Sequence, residues 1–246
     1  MDVLRVRHGR SDTGERLATS LKETGFAVLS DHPIPSDLVE RTYGEWERFF
    51  ASATKHDYTF DPDSQDGYFP FRSENAKGHV QKDLKEFFHV YPRTRLPEGM
   101  TDSTRELYAA LSDLAAELLG LIEANTPPEV CSGLSMPLPR MIEGSPHTLL
   151  RVLHYPPLGG GEEEGAVRAA AHEDINLITL LVAATAPGLQ VRDTGGRWHD
   201  VPADPGTLAV NPGDMLAMAT AGHYPSTPHR VVNPPSGEAG GARLSM

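Results

Sequence analysis

From about residue 147 onward the chain is a succession of short apolar runs: HTLLRVLHY, INLITLLVA, GLQVRD, RWHDV, GTLAV, DMLAMAT and HRVVN. Each is closed within a few residues by Gly, Pro, Asn or Asp. Runs of this length between such breakers read as strands, because a helix needs more residues to present a face. RDTGGRWHD and VNPGDML carry turn residues at hairpin spacing. Strands following one another so closely leave no room for crossover helices. The pattern predicts a sandwich or barrel and argues against alternating βαβ units. PPLGGGEEEGAV reads as an exposed loop inside this β region, and there is no internal repeat.

The first half reads as mainly helical. SDTGERLATSLKETG offers Ser11 and Asp12 as helix N-caps and Gly25 as a stop, and FAVLS follows as a strand. PSDLVERTYGEWERFFASA places Leu38, Val39, Tyr43, Trp46, Phe49 and Phe50 near one helical face. A polar loop dotted with aromatics, YTFDPDSQDGYFPFRSENAKGHVQKD, comes next. STRELYAALSDLAAELLGLIEAN is the clearest amphipathic helix and is ended by Pro127 and Pro128. A chain of 246 residues suits one domain, with a helical N-terminal part (1–146) packed on a β core (147–246).

Charge narrows the function classes. With 34 acidic against 22 basic side chains and a formal charge of −12, no nucleic acid partner is expected, since that binding rests on Lys and Arg neutralising phosphates. The single cysteine, Cys131, excludes an internal disulfide framework and a thiolate metal cluster. No run approaches the length of a membrane span, and MDVLRVRHGR lacks the apolar core of a signal peptide. The expectation is a cytoplasmic protein with no membrane partner.

Three ionisable residues, His172, Glu173 and Asp174, stand at the entrance of the apolar run in RAAAHEDINLITLLVA. In a strand His172 and Asp174 share one face while Glu173 takes the other. A third ligand has to come from elsewhere, and His229 in YPSTPHRVV, 55 residues after Asp174, is the candidate. Two imidazoles and one carboxylate form the facial triad typical of non-haem Fe(II) sites, with positions left open. On its own, H-x-D reads equally as a polar lip on a strand. Arg243 and Ser245, in ARLSM fourteen residues after His229, again share a strand face. An Arg fork and a hydroxyl bind a carboxylate well, although an isolated R-x-S also reads as surface.

The order H-x-D, distal His, R-x-S resembles the 2-oxoglutarate- and Fe(II)-dependent dioxygenases, in the branch related to isopenicillin N synthase. GFAVLSDHPIP is similar to that family's early strand and turn, and GYFPFRSENAKG with KDLKEFF to its G-Y-x-P…E-x-A-x-G…D-x-K-E signature. LLRVLHYPP resembles the R-x-N-x-Y-P strand, with Leu153 where Asn is common. The resemblance implies a mainly β fold with N-terminal helices and a double-stranded β-helix core, that is, a cupin-like jelly roll. It implies Fe(II) on His172, Asp174 and His229, and 2-oxoglutarate on Arg243 and Ser245 with a hydrogen bond from Tyr155. It also implies O2 as oxidant and oxidation, most often hydroxylation, of a C–H bond in a small-molecule substrate, with release of succinate and CO2. Tyr68, Phe69 and Arg72 fall in the loop that in this family often lies near substrate, and Arg72, Lys77 and Lys82 would suit an anionic group or solvent.

Three alternatives share the triad: an oxidase of the isopenicillin N synthase type that needs no 2-oxoglutarate, a Zn-dependent hydrolase, and a jelly-roll module that binds without catalysis. His89 and His154 read as packing histidines, His223 as a lining residue and Cys131 as a small buried residue. Relatives continue beyond the strand that carries R-x-S, whereas Met246 follows Ser245 directly. A β core that is short at its C-terminus is expected to fray there and to bind 2-oxoglutarate weakly.

Overall fold

The computed structural model describes residues 3–76, 80–193, 195–235 and 241–246. The elements run β1 (Leu4–Arg7), α1 (Thr13–Thr24), β2 (Ala27–Ser30), α2 (Ser36–Ala51), a 3-10 turn (Ala53–Tyr58), β3 (Gly67–Phe69), β4 (Glu86–Val90), α3 (Ser103–Ala124) and α4 (Pro128–Cys131). After a second 3-10 turn (Leu138–Met141) come β5 (Leu150–Tyr155), β6 (Ala169–His172), β7 (Ile178–Val182), β8 (Leu189–Arg192), β9 (Trp198–Asp200), β10 (Thr207–Pro212), α5 (Asp214–Ala219), β11 (His229–Val231) and β12 (Arg243–Ser245).

Two four-stranded ladders, β1-β2-β10-β7 and β12-β5-β4-β3, meet edge to edge. The Val182 amide donates to the Met246 carbonyl at 2.9 Å and the Thr185 amide to the Leu244 carbonyl at 3.0 Å. The third ladder, β6-β11-β8-β9, lies across the inner face of this long sheet. Val28, Tyr155 and Ala209 from the long sheet pack in one cluster with Ala169, Leu189, Val191 and Val231 from the short one. The result is a jelly roll of two stacked sheets, not a closed hydrogen-bonded barrel. Among the described residues no helix is long and apolar enough to cross a membrane.

The outer face of the long sheet is covered by helices. Leu107, Leu111, Leu114, Leu118 and Ile122 recur at three- and four-residue spacing along α3, so they form one stripe. They join Leu17 and Leu21 of α1 and Trp46, Phe49 and Phe50 of α2 against Leu29, Phe88, Val152, Leu208 and Leu244 of the sheet. Gly25 ends α1 at φ 68°, and a Cβ there would come within 1.8 Å of the Thr227 hydroxyl, so both conformation and space demand glycine.

Four sequence expectations change. The first half also supplies β1, β3 and β4, short strands that pair with their neighbours in the long sheet. VNPGDML is no hairpin: β10 runs into α5, and DMLAMA is helical. The H-x-D pair sits at the end of β6, with Asp174 in the following turn, while the apolar run is β7 in the other sheet. The C-terminal strand is not frayed. It lies between β5 and the end of β7, with Arg243, Leu244 and Ser245 all buried. That removes the reason given for weak co-substrate binding.

Side-chain alternation on β4 sorts the D-x-K-E signature. Glu86, Phe88 and Val90 face the helices, whereas Phe87 and His89 face the other layer. The Glu86 carboxylate is buried and accepts from Lys55 Nζ (2.9 Å), His154 Nδ1 (2.7 Å) and the Tyr68 hydroxyl. Burial pushes its pKa up, but these three donors outweigh it and hold the carboxyl below its ordinary range. On the opposite face, Arg151 Nε donates to His89 Nε2 at 2.9 Å, which leaves Nδ1 as the protonated nitrogen, facing the Gln65 carbonyl at 3.4 Å.

The two faces of β4 can be tested separately. Glu86→Ala strands a half-buried lysine and two other donors, and should cost about 3 kcal/mol in urea unfolding with an unchanged m-value. A loss under about 1 kcal/mol would mean that the network is solvated. Burial, then the Arg151 charge, lowers the His89 pKa from 6.5 to about 4, so the folded state holds fewer protons than the unfolded one across that window. The stability due to neutral His89 is complete above pH 6.5 and is lost as the pH falls toward about 4. His89→Gln, which can still accept from Arg151, should flatten the melting-temperature profile there. Superimposable profiles would contradict the assignment.

Candidate metal centre

β6 and β11 pair antiparallel with His229 directly opposite His172, and the register shifts just beyond, so that Val231 faces Ala169. The bulge lies on the Ala169 side of the two imidazoles, and on the other side the pairing stops, since β6 ends at His172 and β11 begins at His229, so the chain is free to bring Asp174 to the rings. One donor atom from each of His172, Asp174 and His229 lies within 4.8 Å of the others. His229 Nε2 is 3.7 Å from Asp174 Oδ1, and the two rings are 4.4 Å apart.

Every candidate ligand is aimed by a hydrogen bond at its other end. His172 Nδ1 lies 2.8 Å from the Ala170 carbonyl and His229 Nδ1 lies 3.1 Å from the Thr227 carbonyl. A carbonyl can only accept, so both protons sit on Nδ1 and both Nε2 lone pairs are free. Asp174 Oδ2 accepts from the Thr179 hydroxyl (2.6 Å) and the Asn211 amide (2.9 Å), which leaves Oδ1 for a cation. Burial and the neighbouring His229 hold His172 below its ordinary pKa, favouring neutral imidazole. Burial pushes the Asp174 carboxyl up, but His229, Thr179 and Asn211 outweigh it and keep the group ionised. Two neutral imidazoles and one carboxylate with open positions suit a divalent first-row metal. Glu173, just beyond the end of β6, is exposed.

Gly213 explains how β10 reaches this turn. A Cβ on it would lie 2.3 Å from the Asn176 carbonyl oxygen, and the next amide, Asp214 N, donates to the Asp174 carbonyl at 2.7 Å. The PGD segment thus docks backbone to backbone on the turn that carries the carboxylate.

Beside the triad the inner face of the long sheet is ordered in rows. Phe69, Phe87, Leu153 and Ser245 stand opposite one another across β3, β4, β5 and β12. Arg243 pairs with Tyr155 on one side of that row, and His89 with Arg151 on the other. Arg243 is 1% exposed, lies 5.1 Å from the Tyr155 ring centre, and donates to the Ala186 carbonyl (2.9 Å) and the Ser245 hydroxyl (3.1 Å). No carboxylate is within ion-pair distance of it among the described residues, and the Tyr155 hydroxyl makes no hydrogen bond there. Lys85, nearly as buried, is compensated: Asp83 and Glu74 each approach Nζ at 2.9 Å. A buried guanidinium without a counter-charge is costly, and it marks a place where an anion fits. Arg243, Ser245 and Tyr155 therefore suit a carboxylate.

The substrate-loop residues divide. Phe69 is on the inner face, stacked on Phe87 with ring centres 4.4 Å apart. Tyr68, as alternation requires, points to the helices and bonds Glu86, so it cannot touch a ligand between the sheets. Arg72 is drawn to Glu163 on the surface, and Lys82 to Ser73 and Asn75. Lys77 lies outside the described residues. His154 stacks on Phe50 beneath the helices, and His223 packs edge-on to Tyr224. Sequence reasoning missed Thr179 and Asn211, whose only signal is a buried polar residue beside a strand end. It also missed Asp83, which accepts from the Ala170 amide at 3.0 Å and ties the metal strand to the loop before β4.

Comparison with known proteins agrees with this geometry. Residues 146–246 match the model of the 2OG-Fe(II) oxygenase superfamily, and residues 2–109 match that of the N-terminal region of non-haem dioxygenases in morphine synthesis. A 2-oxoglutarate-Fe(II) type oxidoreductase of Aspergillus fumigatus is 31% identical over 89% of this chain and 71% of its own length. A crystal structure of a candidate oxygenase from Shewanella oneidensis is 47% identical, with TM-score 0.89 over all of this chain and 88% of that one. A full-length Neurospora crassa protein, crystallised in complex with alpha-KG and thymine, shares the fold at 23% identity, with TM-score 0.80 over 99% of this chain and 83% of that one. The chain belongs to the 2OG-Fe(II) oxygenase superfamily and is a non-haem iron, 2-oxoglutarate-dependent dioxygenase.

Proposed function

We propose that His172 Nε2, His229 Nε2 and Asp174 Oδ1 hold the Fe(II), that Arg243, Ser245 and Tyr155 hold the distal carboxylate of 2-oxoglutarate, and that the enzyme hydroxylates a C–H bond of a small molecule at the outer end of the inner face. The observation that carries this reading is a buried guanidinium, without an acid at ion-pair distance among the described residues, on the long-sheet face that looks toward the short sheet carrying two of the three aimed donors. Bound together, iron and 2-oxoglutarate supply O2 activation coupled to decarboxylation to succinate and CO2, with oxidation of the substrate C–H bond.

The chain's own residues do the positioning. Arg243 gains its counter-charge only when a carboxylate arrives, and its fork is already fixed by Ala186 and Ser245. The free Tyr155 hydroxyl can donate a further hydrogen bond to the same group. Leu153 puts an apolar side chain in the middle row, where the family commonly has Asn, and so limits water beside the co-substrate. Phe69 and Phe87 continue that middle row, and His89 and Arg151 form the row on the side away from Arg243, with the Arg151 side chain 36% exposed. They form a wall for a substrate with a flat apolar part and an acceptor group. The Neurospora crassa complex, which holds alpha-KG and thymine together, supports two small-molecule sites in this fold. The hydrolase reading loses ground, because the nearby carboxylates Asp83 and Glu74 are committed to Lys85 and Arg243 would be left without a role.

Anaerobic addition of Fe(II) and then 2-oxoglutarate to metal-free protein should produce the visible charge-transfer band of the chelate. His172→Ala should abolish it, and Arg243→Ala should raise the 2-oxoglutarate concentration needed by about tenfold or more. Iron binding without the band would favour the oxidase reading, and no iron binding would overturn the assignment. Thr179→Val removes the hydroxyl that orients Asp174 and should weaken metal affinity by about 10- to 100-fold at unchanged fold. Unaltered affinity would show that Asn211 alone sets the carboxylate.

A further inference from the structure

Four residues before His172 stands Arg168, buried to 2% exposure at the start of the metal strand. Its guanidinium makes one hydrogen bond, from Nη2 to the Gly241 carbonyl at 2.8 Å, and its Nε is buried with no partner among the described residues. Gly241 lies two residues ahead of Arg243, so Arg168 grips the backbone from which Arg243 projects. The grip is itself anchored: the Arg168 amide donates to Asn233 Oδ1 at 2.9 Å, and Asn233 Nδ2 donates to the Ala166 carbonyl at 2.8 Å. No acid among the described residues is within ion-pair distance of Arg168. Burial and then repulsion from Arg243 lower its pKa, and Tyr155 opposes this, so it lies within the electrostatic reach of both.

Two buried guanidiniums within electrostatic reach of each other, with no carboxylate at ion-pair distance among the described residues, make a poor structural device. Their charges repel, and an apolar pair would fill the space at lower cost. They make sense together if an anion of high charge density enters between the sheets. We propose that Arg168 is a positioning residue of the co-substrate pocket, one that fixes the 241–243 backbone and adds a second uncompensated positive charge behind Arg243. The pocket is thereby selective for 2-oxo acids with a second, distal carboxylate. This rests on the assignment of Arg243 to the 2-oxoglutarate carboxylate.

The test is calorimetric titration of Mn(II)-loaded protein with 2-oxoglutarate and with 2-oxopentanoate, which keeps the chelating end and replaces the distal carboxylate by a methyl group. Arg168→Gln should weaken 2-oxoglutarate by about tenfold, the loss of one charge-assisted contribution, and leave 2-oxopentanoate within about twofold. Arg168→Lys keeps the charge and should recover most of the 2-oxoglutarate affinity. If Arg168→Gln does not fold, Arg168→Met serves as the uncharged variant. Equal losses for both ligands would make Arg168 purely architectural and overturn the proposal. Unchanged 2-oxoglutarate binding in Arg168→Gln, with a clear loss in Arg243→Gln, would also overturn it while leaving the co-substrate site in place. Unchanged binding in Arg243→Gln would remove the site and the proposal together.

Discussion

Everything at this site depends on one register: His229 opposite His172 across an antiparallel pair, with a bulge immediately beyond. A slip of either strand by one residue would turn its imidazole to the other face of the short sheet and separate it from its partner. The ladder stops at this pair, where β6 ends and β11 begins, and Asp174 leaves the strand there to approach the rings. Thr179 and Asn211 come from the long sheet and bond the carboxylate from across the sandwich. The metal centre therefore reports how the two layers are stacked, not only how one strand is ordered.

Buried charge divides the interior into two kinds. Glu86, Asp83 and Lys85 are fully compensated, and each ties separate parts of the fold together. Glu86 links the turn after α2 to β3 and β5, and Asp83 links the loop before β4 to β6. Arg243 and Arg168 have no acid at ion-pair distance among the described residues, and both belong to the region beside the candidate metal centre. The first set reads as framework, since removing one partner leaves the others stranded in low dielectric. The second reads as a charge deficit that the folded chain leaves for a ligand. The family's D-x-K-E signature falls in the framework set. Its strength as a motif comes from holding the sheets and helices in place, and it supplies no chemistry itself.

Much of this was legible in the sequence, for physical reasons that differ from element to element. α3 declared itself because its leucine stripe has helical period over many turns. The paired residues of R-x-S were readable because strand alternation puts i and i+2 together, whereas His172 and Asp174 meet through the segment that follows β6. Tyr68 and Phe69 show the limit: alternation says that they part company, but only the sheet's two environments say which one meets the ligand. β1, β3 and β4 are too short for periodicity to identify, and they are strands because neighbours pair with them. DMLAMA has no pattern that separates strand from helix, and the docking of Gly213 on Asn176 decides it. Arg168 opened the most conspicuous stretch of the chain, yet its separation from every acid among the described residues is a property of three-dimensional packing.

The central claim is that the stacked sheets present one three-donor metal site with a cationic carboxylate pocket beside it. A crystal structure of the protein with Mn(II) and 2-oxoglutarate tests it most directly. The account predicts Mn(II) about 2.0–2.2 Å from His172 Nε2, His229 Nε2 and Asp174 Oδ1, with the distal carboxylate in bidentate contact with Arg243. A metal bound elsewhere, or a co-substrate whose carboxylate avoids Arg243, would contradict it.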